Sequence, residues 1–272
     1  MAQTDGSKPV LNIKNLHVSF FTYAGEVKAV RGVSFSVGRG EAVAIVGESG
    51  CGKSVTSLAI MGLLPKPHGQ VVAGSIRFQG EDLLALSPDQ MYKVRGNRIS
   101  MIFQEPMTAL NPVQTVGDQL MEVFRLHRPD YNKAQRREAA IAMLQKVGIP
   151  EPAQRFAVYP HNLSGGMRQR VMIAMALAQK PEILIADEPT TALDVTVESQ
   201  ILALIRKLQA ENGISVILIT HDMGVVAEMA DHVLVMNKGR QVEQGPVRDV
   251  FHHPRDEYTQ RLLAAVPRLG EM

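Results

Sequence analysis

The sequence predicts an α/β fold with a parallel-sheet core, and three observations carry that prediction. Two stretches that read as buried strands, Glu182–Ala186 and Ser215–Thr220, flank a helical stretch at Val195–Glu211, which is the spacing of a βαβ unit. A third run, Ala42-Val43-Ala44-Ile45-Val46, is apolar at every position, as a strand buried on both faces must be. That run leads through a glycine-rich turn into a helical pattern at Ser54–Met61.

The remaining elements follow in order. Val10–Ile13, Leu16–Phe20 and Val33–Val37 alternate or are β-rich and read as strands. From Pro88 to Pro160 helical patterns dominate, notably Val116–Leu126 and Lys133–Val147, the latter exposed and basic at Arg136 and Arg137. Pro150, Pro152 and Pro160 punctuate its end. The expected organisation is a sheet core of about 1–87 and 165–250, an inserted helical subdomain of about 88–164, and a short tail, 251–272. The tail holds one amphipathic stretch, Tyr258–Ala265.

Composition excludes several classes. The chain has 272 residues, 45% hydrophobic and 21% charged, enough to bury a large core. A net charge of +2 is too balanced for a nucleic-acid binder, which concentrates Lys and Arg on one face. One cysteine, Cys51, excludes an internal disulfide framework and a cysteine metal cluster. Met1–Gly6 lacks the pattern of a signal peptide, and the longest apolar run, Val171–Ala178, falls far short of the ~20 residues that cross a bilayer. A soluble, cytosolic protein is expected, with any membrane part supplied by other chains.

Gly47-Glu48-Ser49-Gly50-Cys51-Gly52-Lys53-Ser54 matches G-x-x-x-x-G-K-[ST] at every fixed position. Glycines let backbone N–H groups turn inward around phosphate oxygens, and the helix that follows aims its positive end at the same anion. Lys53 is a point charge for the β- and γ-phosphates, and Ser54 offers a hydroxyl to Mg²⁺. Cys51 is a small filler of the loop.

Ile183-Leu184-Ile185-Ala186-Asp187-Glu188 is an apolar strand ending in two acids. Ligands of open parallel sheets collect beyond the carboxyl ends of the strands. Asp187 is therefore expected in the Mg²⁺ shell, and Glu188 as the base for the water that attacks the γ-phosphate. His221, directly after Val216–Thr220, is the other strand-end polar residue and is expected at the γ-phosphate.

Leu163-Ser164-Gly165-Gly166-Met167-Arg168-Gln169-Arg170 opens a predicted helix, Met167–Gln179, and forms a second anion-binding helix start. One phosphate tail cannot use two such sites in one chain. The economical solution is a head-to-tail pair in which Ser164–Gly166 of each domain closes over the nucleotide of the other.

With these motifs the sequence resembles the ABC-transporter ATPase domain over essentially its full length. The resemblance implies a P-loop NTPase of the ABC ATPase type: a parallel-sheet core with an N-terminal antiparallel β subdomain and an inserted α-helical subdomain. It implies ATP and Mg²⁺ as cofactors. The nucleotide would be held by Gly47, Glu48, Ser49, Gly50, Cys51, Gly52, Lys53, Ser54 and Val55, and across the pair by Ser164, Gly165, Gly166, Gln169 and Asp194. Gln104 looks like the glutamine that senses Mg²⁺, Ala192-Leu193-Asp194 like the D-loop, and Thr220-His221-Asp222 like the switch. The catalytic group would be Glu188, His221, Lys53 and Gln104, and the metal ligands Ser54, Gln104 and Asp187. Phe20 would stack on adenine, with Phe21 and Tyr23 as close competitors.

Longer strings are similar to the importers of di- and oligopeptides or glutathione: Phe103–Pro112, Tyr159-Pro160-His161, Ala186–Thr196, His221–Val226 and Leu262–Leu269. That similarity implies a second ABC ATPase domain as partner, whether a copy, a paralogue or a fused half. It also implies transmembrane permease subunits, an external substrate-binding protein acting indirectly, and a peripheral place on the cytoplasmic face of the inner membrane. Some members carry a cysteine-rich C-terminal extension for an iron–sulfur cluster; none is expected here. A short form, a truncated form and the first half of a fused chain all fit this ending. The rival expectation is a soluble ABC-type ATPase acting on ribosomes or nucleic acid.

Overall fold

A computed structural model describes residues 8–104, 109–191 and 193–265. They fall into two compact units, one made of residues up to Met91 and from Ser215 onward, the other of Tyr92–Ile214. In chain order the strands are β1 (Leu11–Thr22), β2 (Gly25–Val37), β3 (Ala42–Val46), β4 (Gly69–Phe78), β5 (Glu81–Asp82), β6 (Ile99–Ile102), β7 (Ile183–Asp187), β8 (Ser215–Thr220), β9 (His232–Asn237) and β10 (Arg240–Pro246).

The first unit holds an antiparallel sheet in the order β2-β1-β4-β5. The two expected strand pieces Val10–Ile13 and Leu16–Phe20 are parts of one strand, β1. The alternation slips between them because the pairing shifts register between Ile13 and Leu16. Asn15 sits in that slip at φ 48, a left-handed conformation that asparagine tolerates better than most residues.

In the same unit β3 lies between β8 and β9, parallel to both, and β10 pairs antiparallel with β9. Every residue of β3 and β8 is buried, which is why neither sequence alternates between polar and apolar residues. Ala44 and Val46 of β3 join Val233 and Val235 of β9, Met223, Val226, Val247, Val250 and Tyr258 in one core cluster. The stretch predicted as a tail belongs to this core. Helices Val247–His252 and Glu257–Ala264 form there, with Phe251, Leu262 and Leu263 packed on the cluster. An amphipathic helix must bury its apolar face, and this one does so beneath the sheet-end segments of its own unit.

The second unit is built on the parallel pair β6 and β7 with helices Val116–His127, Lys133–Lys146, Gly165–Leu177 and Val195–Asn212. β6 lies inside the region predicted as helical. The four residues Ile99-Ser100-Met101-Ile102 are too few for periodicity to separate strand from helix, and pairing with β7 decides it. The helix Lys133–Lys146 begins with a capping box, Asn132 and Gln135 satisfying each other's backbone N–H groups. Gly165–Leu177 packs on Val116–His127 and Lys133–Lys146. The units therefore divide at Met91/Tyr92 and Ile214/Ser215, whereas the sequence suggests boundaries near 88 and 164.

Gly117 shows how tight this packing is. A methyl group there would lie 2.4 Å from the Phe156 ring. Gly→Ala inside a helix ordinarily stabilises by about 0.5–1 kcal/mol. Here we expect Gly117→Ala to destabilise by about 1–3 kcal/mol through overpacking. Thermal unfolding checks it: the Tm should fall, and Phe156→Leu in the same chain should restore part of the loss.

Candidate functional site

In the first unit the residues Gly47–Ser54 leave the end of β3. Gly47 has φ 147, and a methyl group on it would lie 2.1 Å from the Met236 carbonyl oxygen and 2.8 Å from Cys51 Sγ. No side chain fits, so the loop can close against β9 only with glycine here. The helix Lys53–Ile60 starts at Gly52 without a side-chain cap, which leaves its positive end directed into the loop.

Lys53 is 5% exposed, and its ammonium donates to the carbonyls of Gly47 at 2.7 Å and Glu48 at 3.0 Å. The loop thus holds one positive charge at its centre with its own acceptors. Glu48, Ser49 and Gly50 are exposed, Cys51 and Gly52 are buried, and Ser54 and Val55 are half-buried on the first helical turn. Burial pushes the Cys51 thiol pKa up, against the pull of the nearby Lys53. The thiol stays protonated and serves as a filler.

β3 and β8 run parallel with Val46 opposite Thr220, so Gly47 and His221 leave the sheet side by side. His221 is exposed there. Asp222 caps the helix Met223–Met229 by accepting from Gly224 and Val225 N–H groups at 2.6 and 3.2 Å. Of the three aromatic candidates, Phe20 is half-buried against Gly69, Phe21 is 42% exposed, and Tyr23 is fully exposed on the β1–β2 turn.

In the second unit β6 and β7 run parallel with Ile102 opposite Ala186. That register delivers Gln104 and Glu188 to one sheet edge, where Gln104 Nε2 donates to Glu188 Oε2 at 2.9 Å. The Thr191 hydroxyl donates to the same oxygen at 2.9 Å. Sequence reasoning missed Thr191; the signal was a hydroxyl three residues beyond the acid in a proline turn. Glu188 itself sits at φ 44, a strained conformation of the kind found at functional turns. Asp187, just before it, is 4% exposed.

Ser164 caps the helix Gly165–Leu177, its hydroxyl accepting from the Met167 N–H at 3.3 Å. A methyl group on Gly166 would meet Val197 Cγ1 at 2.6 Å, and one on Gly165 would touch Leu193 Cδ2 at 3.5 Å. The start of this helix therefore rests on the segment where Asp194 caps Val195–Asn212, accepting from the Val197 N–H at 2.9 Å. One expectation needs correction. Gln169 is 1% exposed, and its Oε1 has no hydrogen-bond partner among the described residues. Its side chain lies on the buried face that continues through Met172 and Ile173, turned inward and not onto the exposed helix start where the sequence placed it. Ser164 and Gly165 are the exposed residues of this motif. Glu105–Thr108 of the importer-like stretch, Ala192 of the expected D-loop, the N-terminal Met1–Gly6 and the C-terminal Val266–Leu269 lie outside the described residues.

The contact of Gly166 with Val197 generates a test. Gly166→Ala should lower ATP turnover at least tenfold by pushing the helix start off Val197, on the scale of about 1–3 kcal/mol for overpacking. Adding Val197→Ala should restore turnover, and a steady-state ATPase assay of the single and double variants reads the coupling.

Comparison with known proteins gives a consistent result. The ABC transporter family profile matches residues 30–191. The dipeptide transport ATP-binding protein DppD of Bacillus subtilis is 58% identical over 260 residues, covering 96% of this chain and 77% of that protein. The glutathione import ATP-binding protein GsiA of Escherichia coli O157:H7 is 55% identical over 271 residues, covering 97% of this chain and 43% of that protein. Among solved structures, the dimeric ATP-binding cassette MJ0796 bound to ADP and Pi has a TM-score of 0.78 at 29% identity, covering 88% of this chain and 99% of that one. The family profile spans more than half of the chain and includes the phosphate loop, the Ser-Gly-Gly helix start and the strand-end acids in turn, and with these near-full-length relatives it shows that the chain belongs to the ATP-binding subunits of the ABC transporters.

Proposed function

We propose that this chain hydrolyses ATP to energise the import of peptides, of the di-/oligopeptide or glutathione class, through a membrane permease. The observation that carries the reading is the near-full-length identity to the dipeptide transport ATP-binding protein of Bacillus subtilis, 58% over 96% of the chain. An intact phosphate loop and an intact strand-end acid pair support it. None of the relatives cited is named for work on ribosomes or nucleic acid.

In this reading Lys53 leaves the Gly47 and Glu48 carbonyls for the β- and γ-phosphates, and loop N–H groups enclose the phosphate oxygens. Each unit carries candidate Mg²⁺ ligands of the right hard-oxygen chemistry: Ser54 in the first, Asp187 and the Gln104 side-chain oxygen in the second. Held by such residues, Mg²⁺ would neutralise charge on the phosphate oxygens. Glu188 takes the proton of the attacking water, His221 contacts the γ-phosphate, and Phe20 stacks on adenine. Ser164, Gly165, Gly166 and Asp194 serve the nucleotide of a second ATPase domain, as expected of a head-to-tail pair. The subunit works at the cytoplasmic face of the membrane through transmembrane partners; among the described residues no helix is long and apolar enough to cross a bilayer.

Glu188→Gln tests the mechanism. It should retain ATP binding, lower turnover by roughly 10²–10⁴-fold, the scale of a lost general base, and accumulate an ATP-bound dimer on size-exclusion chromatography. Normal turnover would remove Glu188 from the role of base. The import reading is checked by co-purification with permease subunits and by peptide-dependent stimulation of ATPase activity in reconstituted vesicles. Recovery with ribosomes instead would overturn it.

A further inference from the structure

We infer that Tyr258, on the C-terminal helix Glu257–Ala264, is a positioning residue for the phosphate loop, anchoring its first turn from behind. The Glu48 backbone N–H donates to the Tyr258 hydroxyl at 2.9 Å, across 210 residues of sequence. The inference rests on nucleotide binding by Gly47–Ser54 and adds a residue outside every motif that identified the site.

The rest of Glu48 shows why an anchor is needed there. Its carbonyl accepts from Lys53 Nζ at 3.0 Å and from the Cys51 N–H at 3.3 Å. Lys53 also holds the Gly47 carbonyl at 2.7 Å. When the ammonium turns to phosphate these lysine contacts are released, and the first turn of the loop loses the group that ties it together. The Tyr258 contact lies on the N–H side of Glu48 and does not involve Lys53. It therefore persists through that change and keeps the Gly47–Glu48 backbone in register.

Tyr258 is itself held rigidly. Its ring is 8% exposed and packs in the cluster that contains Val46, the residue immediately before Gly47. Its backbone N–H is capped by Asp256 Oδ1 at 2.8 Å. The turn entering the helix is fixed to β10, because the Glu243 carboxylate accepts from the Arg255 and Asp256 N–H groups at 2.9 and 3.2 Å. A continuous path of hydrogen bonds and packing thus runs from β10 through the helix start to the phosphate loop. A ring needed only for packing could be phenylalanine; the hydroxyl is the part that reaches the loop.

Tyr258→Phe keeps the ring and removes only the hydroxyl. We expect its Kd for ATP, measured by equilibrium binding on the full chain, to rise roughly three- to tenfold, because the Gly47–Glu48 backbone is no longer held in register before the phosphate arrives. Amide exchange at Glu48 should accelerate in the same variant, while the Tm falls by no more than about 4 °C. Val250→Ala, which thins the same apolar cluster, should lower the Tm and leave the ATP Kd unchanged. An unchanged Kd and unchanged Glu48 exchange in Tyr258→Phe would overturn the inference while leaving the ATPase reading intact. Equal weakening of ATP binding by both variants would assign Tyr258 a packing role only. No ATP binding by the parent chain would overturn both.

Discussion

The Lys53 ammonium, nearly buried and turned onto the carbonyls of Gly47 and Glu48, is the interaction around which the first unit is organised. A charge taken out of water is tolerated only when hydrogen bonds satisfy it. The loop must therefore bend its backbone oxygens inward, which requires Gly47 to pass against the Met236 carbonyl where no side chain fits. β3 must end at Val46 for that to happen, and β9 must run parallel beside it to offer Met236. The same arrangement stores a cation within reach of an incoming phosphate. Part of the binding energy for the anion is thereby spent on exchanging one set of acceptors for another.

The second unit solves a related problem for an acid. Glu188 follows a buried strand and stands at a strained backbone angle, yet its Oε2 is met by both Gln104 and Thr191. A carboxylate so engaged is oriented before any substrate arrives, as the role of general base proposed for it would require. Ser164 and Asp194 are likewise both occupied as helix caps. Their helices meet through Gly165 with Leu193 and Gly166 with Val197, so the Ser-Gly-Gly motif and the Asp194 turn form one packed surface patch. A partner domain pressing on either element would move both.

The C-terminal helices bear on the same theme. Apolar burial of Phe251, Leu262 and Leu263 draws a segment remote in sequence under the end of β3. Burial of this sort is non-directional and supplies stability; the Tyr258 hydroxyl adds direction by ending at one backbone N–H of the loop.

Much of this was legible in the residues alone. Ala42–Val46 and Ser215–Thr220 declare themselves as doubly buried strands because local composition reports burial on both faces. The loop Gly47–Ser54, the Asp187-Glu188 pair and the Ser164–Gly166 helix start are chemical requirements written at fixed spacing. Short range is the common property of these features. What only the tertiary structure decided depends on contacts between distant segments: β6 as a strand beside β7, Gln169 turned inward, Thr191 on Glu188, and Tyr258 on Glu48. No periodicity encodes which oxygen a hydroxyl will reach once the chain has folded over it. Local propensity and motif spacing set the α/β fold and its phosphate loop, whereas the supports around each functional group arise from packing that brings far parts of the chain together.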